Sequence, residues 1–450
     1  MAFADLRGNP CSSADRGAHA ALESALWRMM SFYDTPLADL DRAAACDPDW
    51  ILPELMRAGF WLGLTEPGQL IQARAHLDKA RQALPAAVAR ERAHFEALQA
   101  VLAGRWQRAS RIWDELLIDH PTDALALQWA QSWDFYCGDL LGLRQRPARA
   151  LPQWDESDPL FAHVLALYAF GLEENNLYSQ AEEVGRRALS LQPQSPWAIH
   201  AVAHVMEMQG RFEEGASWLR GQQPLWAEGN GFATHLWWHK TLFRLEAMDK
   251  LGALRLIDAH FQSDTLEITL QRVDAASLLW RLHLLGEDMS AQCAALIKSW
   301  PLEGDDAGYY AFNDVHAVMA LLGADEIARA ESWLARCAKR ALDPADAARS
   351  NHDMARGVGL PLMRGLIALR RGDANTACDL LSQVRSQAQR LGGSHAQRDF
   401  IDQTLMAAAA RSGRRSLGQA LLNERCMAKA QTPLTRHWIE QLDSPGLAGA

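Results

Sequence analysis

The sequence has no apolar run approaching about 18 residues, so no segment reads as a membrane-spanning helix. It has no surplus of basic residues: 45 Lys and Arg face 55 Asp and Glu, a net charge of -10. That balance speaks against a general nucleic-acid or anionic-membrane surface, since either would favour a basic stripe. Cysteine is sparse and scattered. The seven residues at 11, 46, 137, 293, 337, 378 and 426 contain no C-x-x-C. Neither a disulfide framework nor a cysteine zinc site is expected, and free thiols in a reducing cytoplasm are. The opening Met1-Ala2-Phe3-Ala4-Asp5-Leu6-Arg7 carries an acid early and lacks the apolar core of a signal peptide. Strand signals are almost missing as well: there is no Val/Ile/Thr alternation and no Asn-Gly hairpin between apolar runs.

What is present is helical periodicity, broken every dozen or so residues by short Gly, Asp, Asn or Pro punctuation. The expected class is all-α. Residues 1–17 read as a loosely held leading segment. Helices are predicted at about 18–34, 36–46, 49–64, 69–83 and 86–103, with a last one near 434–442 and a tail over 444–450. A helix–turn–helix period of about 34 residues emerges from Gly104, Trp106, Ala109, Trp113 and Pro121. The same spacing returns at Asn176, Tyr178, Ala181, Ala188 and Pro193, at Gly210, Phe212 and Gly215, and at Gly372, Ala374, Ala377 and Leu381. Small residues stand where paired helices touch, bulky ones fill the gap, and a stop precedes the next unit. Recognisable units cover about 90–123, 162–195, 196–229 and 358–391 within a helical-repeat region of 18–443. The expectation is an α-solenoid of tetratricopeptide-like helix pairs, one continuous curved array. The 17 tryptophans suit the large holes that stacked helix pairs leave. Between about 250 and 345 the units vary in length and the register is open.

The polar residues fall on this pattern in a telling way. A unit starting at Pro196 places His200, His204 and Glu207 at positions 5, 9 and 12 of its first helix. In tetratricopeptide folds those positions face the concave groove. The next such helix carries His235 and His239, again four apart and so on one face. Neutral imidazoles with a carboxylate suit Zn, Fe, Mn or Ni, and i/i+4 histidines chelate well from one helix. The competing account is a hydrogen-bonded polar seam, but a second chelating pair on the adjacent inner helix is hard to explain as packing. H-x-x-x-H-x-x-E is not a recognised catalytic string.

Further along, Asp314 and His316 lie two apart and cannot share one helical face; Asn313 or Asp314 can equally cap a helix. Ser394 with Gln397 reads as a capping box after a Gly-Gly break, leaving Arg398 and Asp399 to hold an anion or orient a histidine. Gly357-Val358-Gly359 lacks the strand and further glycines of a phosphate loop.

Several of these blocks together resemble the tetratricopeptide repeat protein 38 family over nearly the whole length. They are Asp119-His120-Pro121-Thr122-Asp123-Ala124-Leu125-Ala126-Leu127, the run from His200 to Met208, and the His235/His239 pair. Phe312-Asn313-Asp314 with His316, and Gly392-Gly393-Ser394 with Ala396-Gln397-Arg398-Asp399, complete the set. His395 departs from that pattern, which has Asn there. The resemblance implies a repeat fold and kinship, and no settled activity.

Two functional expectations follow. In one, His200, His204, His235, His239 and His316 ligate a divalent transition metal (Zn, Fe or Mn). Glu207, Asp314, Arg398 and Asp399 then serve as catalytic or supporting groups for hydrolase- or oxygenase-type chemistry. In the other, the concave groove is a non-enzymatic binding module for a peptide or small ligand. A groove dressed with His and acids rather than Lys, Arg and Asn favours the first.

Overall fold

A computed structural model of the chain describes residues 3–302 and 306–443; the expected tail over 444–450 lies outside the described residues. Among the described residues the chain is helical, apart from a short hairpin in which Phe3–Ala4 pairs antiparallel with Pro10–Cys11 and an isolated bridge between Tyr33 and Asn230. Among the described residues no helix is long and apolar enough to cross a membrane. The seven cysteines are all free.

Each recognisable repeat is a pair of helices. Ala89–Leu102 is followed by Trp106–Asp119, Phe161–Glu173 by Tyr178–Leu191, Pro196–Met208 by Phe212–Gln222, and Leu360–Arg370 by Ala374–Arg385. The signature residues sit where the pairs close. Trp106, Ala109, Trp113, Ala181, Ala188, Ala377 and Leu381 are all buried. Gly215 shows why a small residue is needed: a Cβ there would stand 2.2 Å from Cζ of Phe243, so the ring occupies the space a side chain would take.

By internal contacts the chain falls into two compact units. The first comprises Met1–Val202, Gln222–Ala233 and Ala348–Ser350; the second comprises Ala203–Gly221, Thr234–Ala347 and Asn351–Ala450. The first is built on tryptophan pairs, with Trp106 and Trp133 centroids 5.1 Å apart and Trp113 and Trp129 5.7 Å apart. Its leading segment differs from expectation. Instead of hanging loosely, it is pinned by Arg7, which bonds Glu23 at 2.9 Å and Asp158 at 2.9 Å. Those partners lie 16 and 151 residues away, beyond the reach of a local reading. Within the same unit, the loop ahead of Ala233 is tied back to an early turn by Gly231 N–H donating to the Phe32 carbonyl at 2.8 Å.

The second unit has Thr269–Leu284 at its centre, packed against Ala311–Gly323 and His395–Ser412. That central helix is buried on nearly every side, including Asp274, Ser277 and Arg281. A helix covered all round shows no amphipathic stripe, which is why the register was unreadable there. The Ser394 capping box forms as expected: Gln397 N–H donates to Ser394 Oγ at 3.2 Å and Ser394 N–H to Gln397 Oε1 at 2.9 Å.

Candidate metal centre

Pro196–Met208 has no glycine or interior proline, and its Ala, Val, Ile and Met side chains bury completely from Ala198 through Met206. Its helical period stacks His200 and His204 one turn apart. Ala233–Glu246 does the same for His235 and His239. One ligand nitrogen from each of these four histidines lies within 4.8 Å of the other three. His204 and His239 are fully buried, His200 is 2% exposed, and the His235 side chain is 16% exposed. The His204 and His239 rings have centroids 4.4 Å apart, and His235 and His239 4.9 Å. The Trp238 ring lies nearly parallel to His235 at 5.1 Å and edge-on to His239 at 4.8 Å.

Carboxylates stand behind two of the rings. His239 Nδ1 lies 3.0 Å from Glu207 Oε2, and His235 Nδ1 lies 2.9 Å from Asp274 Oδ2. Burial holds the His239 imidazole well below its ordinary pKa, and the neighbouring His204, His235 and Arg281 push the same way. Burial pushes Glu207 up to about 7, opposed by His204, Lys429 and Arg281. A neutral imidazole is the form a metal takes.

A buried charge network lies beyond. Arg281 donates to the backbone carbonyls of Ser277 (3.2 Å), Ala396 (2.8 Å) and Gln397 (3.3 Å). Asp399 pairs with Arg425 at 2.6 Å, and Glu246 accepts from Arg425 at 3.1 Å, from Thr432 Oγ1 at 2.6 Å and from Lys429. Burial alone would raise Asp399, but Arg425 and Lys429 outweigh it and hold the carboxyl well below the usual range.

The structure thus brings His200, His204, His235 and His239 together and sets Glu207 against one of them. The other sequence candidates have different partners. Asp314 Oδ1 accepts from Gly308 N–H at 3.0 Å and from Trp333 Nε1 at 3.1 Å, and burial pushes its pKa up to about 6. It does not cap a helix, because Ala311–Gly323 begins three residues before it. His316 is not in the four-histidine group: its Nδ1–H donates to the Phe312 carbonyl at 2.8 Å, and its ring sits between Phe312 and Phe400. Arg398 donates to the Gly393 carbonyl, which closes the turn ahead of its helix. Asp399 belongs to the Arg425 pair. Sequence reasoning missed Asp274 and Arg281, since neither stands in a spacing motif with a histidine.

Four imidazole nitrogens, with carboxylates behind two of the rings, form a donor set that Zn, Fe, Ni or Cu accept. A comparison of the chain with models of known protein families finds no match.

Proposed function

We propose that this helical-repeat protein is a metalloprotein, holding a divalent transition metal (Zn, Fe or Mn) on His200, His204, His235 and His239. The observation that carries this is the convergence of two i/i+4 histidine pairs from separate helices, with all four ligand nitrogens within 4.8 Å. Imidazoles massed in a buried site without a cation forgo their hydration and repel whenever two are protonated, so packing alone gives little reason to assemble them. In keeping with the resemblance noted above, the reading includes kinship with the tetratricopeptide repeat protein 38 family and a solenoid of helix pairs, with a peptide or small molecule as the groove's ligand.

A catalytic role is the further part of the proposal. Such a metal would supply Lewis acidity or an activated water for hydrolase- or oxygenase-type chemistry. The chain's own residues would hold and orient the metal through the four imidazoles and exclude bulk water through Trp238. The buried Arg281 and Glu246, with the largely shielded side chains of Arg425 and Lys429 paired to Glu246, support this part, because sheltering such charges is costly to keep for packing alone and is common at sites of chemistry.

The test is metal content by elemental analysis of protein purified without a histidine tag, beside His204→Ala and His239→Ala. About one equivalent in the wild type, lost in both variants, is expected. A wild type that holds no metal and takes up none from Zn, Fe(II) or Mn would leave the groove as a ligand-binding surface.

A further inference from the structure

Each histidine has two ring nitrogens, and the partner of one decides which is left to face a metal. Here the partners are two carboxylates on two different helices. Glu207, on Pro196–Met208, meets His239 Nδ1 at 3.0 Å; Asp274, on Thr269–Leu284, meets His235 Nδ1 at 2.9 Å. Both bonds are shielded, with the carboxylate side chains 7% and 5% exposed. We propose that Asp274 and Glu207 are positioning residues. By accepting the Nδ1–H of His235 and His239 they turn Nε2 of each ring to the metal, and as carboxylates, the form a bound cation favours, they balance a dication. This deepens the metal reading and rests on it.

Charge arithmetic favours two carboxylates. Four imidazoles bring no charge, so a buried dication on them alone would leave two positive charges in a low-dielectric interior, a costly arrangement. Direct ligation by a carboxylate would also cancel charge, but among the described residues the group of converging ligand atoms contains the four histidines and no carboxylate. Glu207 Oε2 is engaged by His239 instead, so the geometry gives Glu207 a supporting place behind the ring. Arg281 completes the layer. Its buried guanidinium interacts electrostatically with Glu207, Asp274 and Asp399, and it lies 5.6 Å from the centre of the Trp238 ring that stacks on His235. Ser277, one turn on from Asp274, accepts the Trp238 indole N–H at 2.7 Å and so holds that ring in place. Ligand, supporting carboxylate and ring clamp thus come from three helices.

Two measurements on the full chain test the proposal. In the chelator-stripped protein, long-range proton–nitrogen spectra of histidine report the tautomer without any metal. His235 and His239 are expected to carry their proton on Nδ1, and a wild-type Nε2–H tautomer at both rings would overturn the proposal whatever the variants do. Co(II) titration followed by visible absorption then reads affinity and geometry. Asp274→Asn and Glu207→Gln, which keep shape and remove charge, are expected to weaken Co(II) binding 10- to 100-fold. Asp274→Ala is expected to weaken it further and to alter the absorption bands, because the ring is then unheld. Folded variants that bind Co(II) with wild-type affinity and spectrum would sink the positioning role and leave the metal reading standing. A wild type that binds neither Co(II) nor Zn would remove the metal reading itself. Should the charge-removing variants fail to fold, the wild-type tautomers decide.

Discussion

Both units bury histidine beside carboxylate, and they do it differently. In the first unit His94 Nε2–H donates to Asp123 at 2.9 Å while its Nδ1 accepts from the Trp113 indole at 3.2 Å. Asp123 also takes Arg90 at 2.6 Å and the Ala126 N–H at 3.0 Å, the latter as the N-cap of Ala124–Cys137. Burial alone would raise Asp123, yet Arg90 and His94 outweigh it and hold the carboxyl well below its ordinary pKa. Every atom of that histidine and acid is used by the protein itself. In the second unit the histidines face one another, His204 to His239 to His235, and Glu207 and Asp274 stand behind His239 and His235. A ring that spends both nitrogens on the fold is a structural part. Rings that turn nitrogens toward each other form a donor set. The same residue types therefore make a brace in one place and a candidate metal centre in the other.

The comparison breaks most sharply at Asp123. Asp123→Ala strips the buried Arg90 of its mate and the helix of its cap, and is expected to cost about 3–5 kcal/mol in denaturant unfolding. Metal content per folded molecule should stay unchanged; a parallel loss of metal would show that the brace and the centre are not separable.

A third histidine contributes to the acid limb. His163 is buried against Trp27 with only Ser195 Oγ near its Nδ1, at 3.5 Å, and burial lowers its pKa from 6.5 to about 4. The unfolded chain therefore takes up this proton first as pH falls. The contribution of this group is flat above about pH 6.5, declines between 6.5 and 4, and amounts to a loss on the order of 3 kcal/mol by the lower end. His163→Leu should flatten that limb in unfolding measured from pH 7 to 4, and an unchanged slope would remove His163 as its source.

The metal centre predicts a ligand-dependent effect of similar size. With free Zn at about 100 times Kd, the folded state gains about 2.7 kcal/mol, read as a rise in Tm. His204→Ala should abolish the rise while the pH limb set by His163 persists.

At the small end stands an exposed ion pair. Arg186 and Glu182 meet at 2.7 Å, four residues apart on one helix, with the arginine side chain 45% exposed. Arg186→Ala is expected to change stability by about 0.3–0.5 kcal/mol in a double-mutant cycle with Glu182→Ala, because water and salt screen what burial protects. A value of several kcal/mol there would undercut the distinction between buried and exposed pairs.

Helix positions were largely legible because their signals are local. The predicted 36–46, 49–64, 69–83 and 86–103 correspond to Leu37–Cys46, Ile51–Gly63, Leu70–Ala83 and Ala89–Leu102. The two i/i+4 histidine pairs were legible for the same reason, since one turn of helix guarantees a shared face. His316 gave a similar local impression yet lies among Phe312 and Phe400, and only the packing of Phe400 from another helix distinguishes it. Asp274 was invisible because it lies 39 residues from His235, and Arg425 because it lies 179 residues from Glu246.

The chain by itself determined the helical class, the paired helices of its recognisable repeats, and which histidines share a helix face. Periodicity, capping residues and the placement of Gly and Trp set those within a few turns. Tertiary structure alone decided that the two histidine faces meet, that Asp274 and Glu207 stand behind them, and that the leading segment is pinned at Arg7. The reason is physical. Helical geometry fixes neighbours three and four residues apart, whereas contacts between helices depend on how whole side-chain surfaces pack, which no short stretch encodes.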